Sequence, residues 1–251
     1  MSQDIERLLN DWEFEPDQLQ VRVIVGDDGR EKIQMRIDLG VVQMELSGRP
    51  DGTRPEGHES LLDFYEAKAK DAIETGTPLS LSPDDCAQLM REGLQYYHRY
   101  LSAFHLERYD LVVRDTERNL RLFAFVGRHA ARQRDKIEFD RYRPYVQMMY
   151  TRALASLSLK AEDHRGALSK IDDGIKAIRR FLREYKQEER ETECSELRFL
   201  VRWRREVERE RPIDLLEKLE HQLELSVALE DYEEAARLRD KIRRLQAPDS
   251  R

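Results

Sequence analysis

Leu229-Glu230-Asp231-Tyr232-Glu233-Glu234-Ala235-Ala236-Arg237-Leu238-Arg239-Asp240-Lys241-Ile242 is the stretch whose reading decides the rest. Ala235, Leu238, Ile242 and Leu245 recur at helical spacing and line one face of a helix. Upstream, Leu216, Leu219, Leu223 and Val227 do the same. Between the two stripes Glu230-Asp231-Tyr232 supplies a break. Asp231 suits the N-cap, and Glu233 and Glu234 suit the positive end of the second helix. The pattern predicts two short antiparallel helices, a hairpin with an apolar seam and too few large side chains to stand without further cover.

The string Leu-Glu-Asp-Tyr-Glu-Glu-Ala-Ala-Arg-Leu-Arg-Asp beginning at Leu229 resembles the UVR motif, the helical hairpin shared by excision-repair proteins such as UvrB and UvrC and by the bacterial adaptor McsA. The resemblance covers Ile213 to Gln246. It implies a hairpin that pairs with another hairpin, carries no catalysis and belongs to a bacterial protein. The expected partner-binding residues are Leu216, Leu219, Leu223, Tyr232, Ala235, Leu238, Arg239 and Ile242. The apolar ones would pack on the partner, Ala235 would let backbones approach, and Arg239 would set register through a carboxylate.

Working outward, the chain before Pro212 is helical back to Asp84. Five stripes stand out: Leu89 to Phe104, Leu111 to Val126, Tyr142 to Leu157, Ala167 to Leu182 and Leu197 to Val207. Glu107-Arg108-Tyr109-Asp110, Glu162-Asp163-His164-Arg165 and Glu230-Asp231-Tyr232-Glu233 align, each opening a helix after a long one. They resemble the second-helix start of a tetratricopeptide repeat. Their spacings of 55 and 68 residues depart from that family's period, so what they imply is helical-hairpin architecture.

At the other end the period is two. Leu19, Val21, Val23 and Val25 alternate with Gln20, Arg22 and Ile24, and Ile33, Met35, Ile37 and Leu39 with Gln34, Arg36 and Asp38, around a turn ending in Asp28-Gly29. The phase slips at Gly40, after which Val42, Met44 and Leu46 are apolar; a bend there starts a third strand or extends the second. A helix over Ser60–Ile73 is the nearest cover for this hairpin. The expected class is therefore α+β and predominantly α. Residues 1–76 form a small strand module with one helix, 83–211 a helical-hairpin domain, and 212–247 the UVR-like hairpin.

Between strand and helix, Ser47 to Glu59 holds three glycines, two prolines, Arg49, Arg54 and His58 just before a helix start. Arg49 and Arg54 are candidate anion-binding residues, set against a plain turn-rich connector. The segment fits neither a P-loop nor a dinucleotide fingerprint.

Composition narrows the classes. Charged residues are 38% against 39% hydrophobic, a balance suited to long exposed helices. No apolar run reaches the length of a membrane span, the start is acidic, and Cys86 and Cys194 lack paired spacing, so a cytoplasmic protein is expected. Residues 101–211 carry 26 basic and 20 acidic side chains, interleaved in sign as on a solvated helix surface, so nucleic acid is not expected as a partner. The six histidines make no ligand pattern, no nucleophile elbow occurs, and the acidic setting of Cys86 would raise its pKa. Neither catalysis, nor a cofactor, nor a metal is expected. The expected function is that of an adaptor binding a partner hairpin or a second copy of itself, the alternative being an accessory factor in DNA excision repair.

Overall fold

The computed structural model describes residues 4–211 and 215–246, and the chain divides into two compact units, residues 1–205 and 206–251. The first unit opens with a short helix, α1 (Glu6–Asn10), and an antiparallel sheet in the order β1 (Val21–Val25), β2 (Glu31–Ile37), β3 (Gly40–Glu45). Gly29, at φ 73°, closes the first turn. Ile37 pairs with Gly40 across Asp38-Leu39, so the phase slip at Gly40 starts a third strand. Leu39, expected in the alternation, is exposed at that turn. Alternation sends Ile33, Met35 and Met44 to one face and Gln34 and Arg36 to the other. Arg36 donates to the Trp12 carbonyl and lies over Phe14, while Arg22 covers Trp12, so the N-terminal segment lies on that second face.

The helices follow: α2 (Leu61–Thr75), α3 (Pro83–His105), α4 (Tyr109–His129), α5 (Gln133–Asp140), α6 (Arg143–Lys160), α7 (His164–Glu184) and α8 (Ser195–Glu210). Five match the helices read from the apolar stripes, although in α3 the buried face runs through Leu89, Tyr96, Tyr100 and Ala103 and leaves Leu94 exposed. The short α5 does not; only Ile137 and Phe139 interrupt its polar run, and Phe139 is buried edge-on to Phe123. Ser82 and Asp85 build a capping box at the start of α3.

The cover of the sheet differs from expectation. Ile33, Met35 and Met44 pack with Leu19, Val21, Val42, Leu46 and Leu106, the last just beyond α3. Helix α2 belongs instead to the helical core, where Leu61, Leu62 and Tyr65 join Leu89, Leu122, Phe125 and Val126. One core thus runs across the expected boundary between residues 76 and 83, and Leu81 strengthens the join by pairing with the backbone at His129 and Ala131. Neighbouring side chains along the chain could not decide this, because the apolar stripe of α2 fits either layer.

The three aligned Glu-containing turns share one geometry. Glu107, Glu162 and Glu230 have φ of 54°, 58° and 59°. In each, the next residue's N–H reaches back to the carbonyl five positions earlier: Arg108 to Ala103, Asp163 to Ser158 and Asp231 to Ser226, at 2.9 Å each. These are Schellman closures with glutamate where glycine is the usual choice. Lys186 ends α7 in the same way. Helices α6 and α7 approach closely where Gly174 faces Thr151.

The second unit includes the end of α8 and the hairpin α9 (Leu215–Ala228) and α10 (Tyr232–Gln246). Among the described residues no helix is long and apolar enough to cross a membrane.

Candidate functional site

The hairpin is built as its sequence dictates. Asp231 caps α10 by accepting from the Glu234 N–H at 3.1 Å, and Glu233 and Glu234 sit in the first turn, where the helix end is positive. Its seam is small. Leu219, Leu238 and Ile242 are buried against one another with Leu223 beside them, and Ala235 is buried at 8% exposure. Four of the expected partner-binding residues, Leu219, Ala235, Leu238 and Ile242, therefore have their apolar surface inside the hairpin. The side chain of Leu216 lies outside the described residues, as does that of Leu245. Val227, expected to continue the stripe, is 52% exposed: α9 ends one residue later, and α10 offers its first buried position only at Ala235.

Among the described side chains, the large apolar ones that the hairpin leaves in solvent lie near its turn. Leu225, Val227, Leu229 and Tyr232 are exposed, the last two at 78% and 69%. Arg239 is exposed and makes no ion pair among the described residues, whereas Arg237 contacts Glu233 and Glu234. The turn thus presents apolar side chains, and α10 an uncommitted guanidinium.

The loop before α2 resolves differently. An anion does sit on the N–H groups that open α2, and it is the protein's own Glu92, accepting from Leu61 N at 2.6 Å and Leu62 N at 3.1 Å. Ser60 adds the side-chain cap. Arg49 lies 3.4 Å from the Glu92 carboxylate and 3.3 Å from Asp51, with Gln95 also in reach. Arg49 therefore meets carboxylates of its own chain, while Arg54 is exposed without an ion pair among the described residues.

Around Glu92 lies a polar network that sequence reading missed. Glu92 also binds Arg118, whose guanidinium, with that of Arg99, stacks on Tyr96 at 4.2 and 4.9 Å. Burial lowers the Arg118 pKa, and the Glu92 charge opposes that shift. Arg99 forms a two-pronged pair with Asp115, at 2.6 and 2.8 Å, and also donates to the carbonyls of Glu45 and Gly48 at the end of the sheet. The signal was present in the periodicity: Glu92 and Arg99 fall on the stripe of Leu89, Tyr96, Tyr100 and Ala103, where a charge must find a buried partner. The network clamps sheet, loop and α2 onto α3 and α4.

The nucleophile candidates are poor. The Cys86 thiol is pushed up to about 11, first by burial and then by Asp135 and Asp85. The acidic setting adds to the effect of burial. Burial likewise lowers the pKa of His98. No group of three or more His, Cys, Asp or Glu side chains suited to a metal occurs among the described residues.

Compared with known families, residues 213–247 match the UvrB/uvrC (UVR) motif, a helical hairpin known to mediate protein–protein interaction. No curated protein and no solved structure matches the chain.

Proposed function

We propose that this chain is a non-catalytic cytoplasmic adaptor whose C-terminal hairpin binds a partner hairpin or a second copy of itself. The observation that carries the reading is the coincidence of the UVR match with a hairpin in the second compact unit whose seam, among the described side chains, rests on Leu219, Ala235, Leu238 and Ile242 with Leu223 beside them. Such a seam closes the hairpin and leaves Leu225, Val227, Leu229 and Tyr232 to gain from burial elsewhere. In this reading Leu219, Leu223, Ala235, Leu238 and Ile242 shape the binding surface from within. Tyr232 and Arg239 touch the partner, and Arg239 pairs with a carboxylate across the interface.

The test uses exposed positions, which leave the seam intact. Leu229→Asp with Tyr232→Asp, and separately Arg239→Glu, are compared with the unmodified chain by sedimentation for self-association and by affinity capture for a partner. Loss of both in the double variant, with an unchanged melt of residues 1–205, is the expected result. A double variant that associates and captures as well as the unmodified chain would refute the assignment.

The motif's occurrence in excision-repair proteins supports a second reading, an accessory role in DNA excision repair. Salt separates the two. Contact with several phosphates weakens steeply with ionic strength, whereas apolar hairpin pairing barely responds.

A further inference from the structure

The first unit contains a groove that neither the hairpin nor its motif explains. It consists of two adjoining cavities that share Tyr145 and Glu196 as common walls. The first, of about 560 Å³, is bounded by α3, α4, the segment leading into α6, and the first turn of α8. Tyr97, Tyr142 and Tyr145 are its aromatic walls, and Leu94 stands at the mouth. The second, of about 590 Å³, is bounded by α6 and α8 and presents Phe199, Arg198 and Arg202. Each volume falls within the range of sites that enclose a ligand group.

The walls are set before anything binds. Tyr100, 1% exposed, holds Tyr97 edge-on at 5.5 Å, and Tyr97 in turn lies 6.2 Å from Tyr145. At the mouth, Leu94 and Tyr142 keep 51% and 42% of their surface in water. This apolar surface is gathered at the entrance of a cavity, and covering it would be favourable.

Charge identifies the occupant. Glu196 accepts from the Ser195 hydroxyl at 3.0 Å and lies 3.5 Å from the Cys194 sulfur. The linings also bring Arg141, Arg198 and Arg202. Arg198 is exposed, and its side chain makes no hydrogen bond or ion pair among the described residues. Behind the second cavity's Phe199, Arg152 is half-buried, stacked 4.2 Å from Phe104 and 4.7 Å from Phe199, with Met149 sulfur as its polar neighbour and no ion pair among the described residues. Burial lowers its pKa, and Tyr145 and Tyr109 oppose that shift. Arg202 lies 5.8 Å from the Phe199 ring, and Arg141 at the first cavity has Glu138 3.5 Å away. The groove thus joins an aromatic socket to a shelf on which Arg198 and Arg202 lie beside Glu196.

We propose that this groove docks an acidic peptide segment of a partner protein. One bulky apolar side chain enters the tyrosine socket, and carboxylates that follow it lie along Arg198 and Arg202. The spacing favours a peptide because one chain can place an apolar group in one cavity and an anionic group over the next. Arg198 and Arg202, four apart on α8, present their charges on one helix face. The site lies wholly in residues 1–205, so it does not rest on the hairpin's assignment, and a chain with both sites could hold two partners.

The test is selection of a displayed random-peptide library on the immobilised full chain, followed by fluorescence-anisotropy titration of the enriched peptides. The expected consensus is a large apolar residue beside two or more acidic ones. Leu94→Asp and Arg198→Glu should each weaken binding by about tenfold or more, as expected for central contacts, with unchanged melting because both side chains are exposed. Leu229→Asp should bind the same peptides as the unmodified chain, which separates this site from the hairpin. A basic consensus, an empty selection, binding that Leu94→Asp and Arg198→Glu leave intact, or full displacement of the peptides by an oligothymidylate would each overturn the proposal.

Discussion

Residues 1–205 and the hairpin of the second unit hold their helices together by different means. The first unit fills its interior with large side chains such as Phe125, Phe139, Leu62 and Ile171, and it also buries charge, pairing Arg99 with Asp115 and Glu92 with Arg118. The hairpin has Leu219, Leu238 and Ile242 with Leu223, and its described ion pairs lie on the surface. Burial of apolar area is the main force in both, yet only the first has enough of it to absorb the cost of desolvating ions. The comparison teaches that one unit is specified from within, while the described seam of the other is small enough that a partner can add substantially to its stability.

The sharpest way to break this contrast is a charge in the smaller seam. Leu238→Asp should cost about 4 kcal/mol, combining lost apolar burial with an unpaired buried carboxylate. That is a large share of what the described seam of Leu219, Ala235, Leu238 and Ile242 can supply. Hydrogen exchange should show the amides of 215–246 losing protection while those of α3, α4, α6 and α7 keep theirs. Retained protection in 215–246 would mean that the hairpin draws its stability from elsewhere.

In the first unit the corresponding wound is Arg99→Met, which leaves Asp115 buried with only Arg114 as a cation. The expected loss is about 3 kcal/mol in urea unfolding, at the lower end for a broken buried pair because Arg114 remains. Replacing Asp115 with leucine as well should recover part of that. Full recovery is not expected, since the Glu45 and Gly48 carbonyls lose their donor in both variants.

A steric change should do less. At Gly174 a Cβ would stand 2.2 Å from Thr151 Oγ1 and 2.8 Å from its Cβ. Gly174→Ala should therefore push α6 and α7 apart at about 2 kcal/mol, read as a lower melting temperature of the first unit with no change in the hairpin's exchange.

How much of this was legible in the sequence depends on range. Contacts within about one turn were readable: the stripes of α3, α4, α6, α7 and α8, the cap at Asp231 and the strand alternation all follow from period and capping chemistry. Contacts between distant segments were not. The sequence marks an anion-seeking helix start near Ser60, yet Glu92 lies 31 positions from Leu61, and periodicity carries no information on that pairing. For the same reason the cover of the sheet fell to Leu106 in place of α2. At the hairpin, spacing located the apolar stripes. It could not say that Leu219, Leu238 and Ile242 would face each other and leave Leu229 and Tyr232 outside.

The smallest effect gives the finest comparison, because the same turn occurs in both units. Glu162 ends α6 and Glu230 ends α9, each held in the left-handed region and each closed by the same pair of backbone hydrogen bonds. A side chain with a Cβ is disfavoured there, and glycine removes that penalty at some cost in unfolded-state entropy. Both side chains are exposed, so little packing is lost on replacement. Glu162→Gly should raise the stability of the first unit by about 1 kcal/mol and its melting temperature by a few degrees. Glu230→Gly should relieve the same strain, but the gain should appear only as slower amide exchange in 215–246. If Glu230→Gly instead raised the melting temperature of the first unit as much as Glu162→Gly does, the two units would unfold as one, and the contrast between them would have to be abandoned.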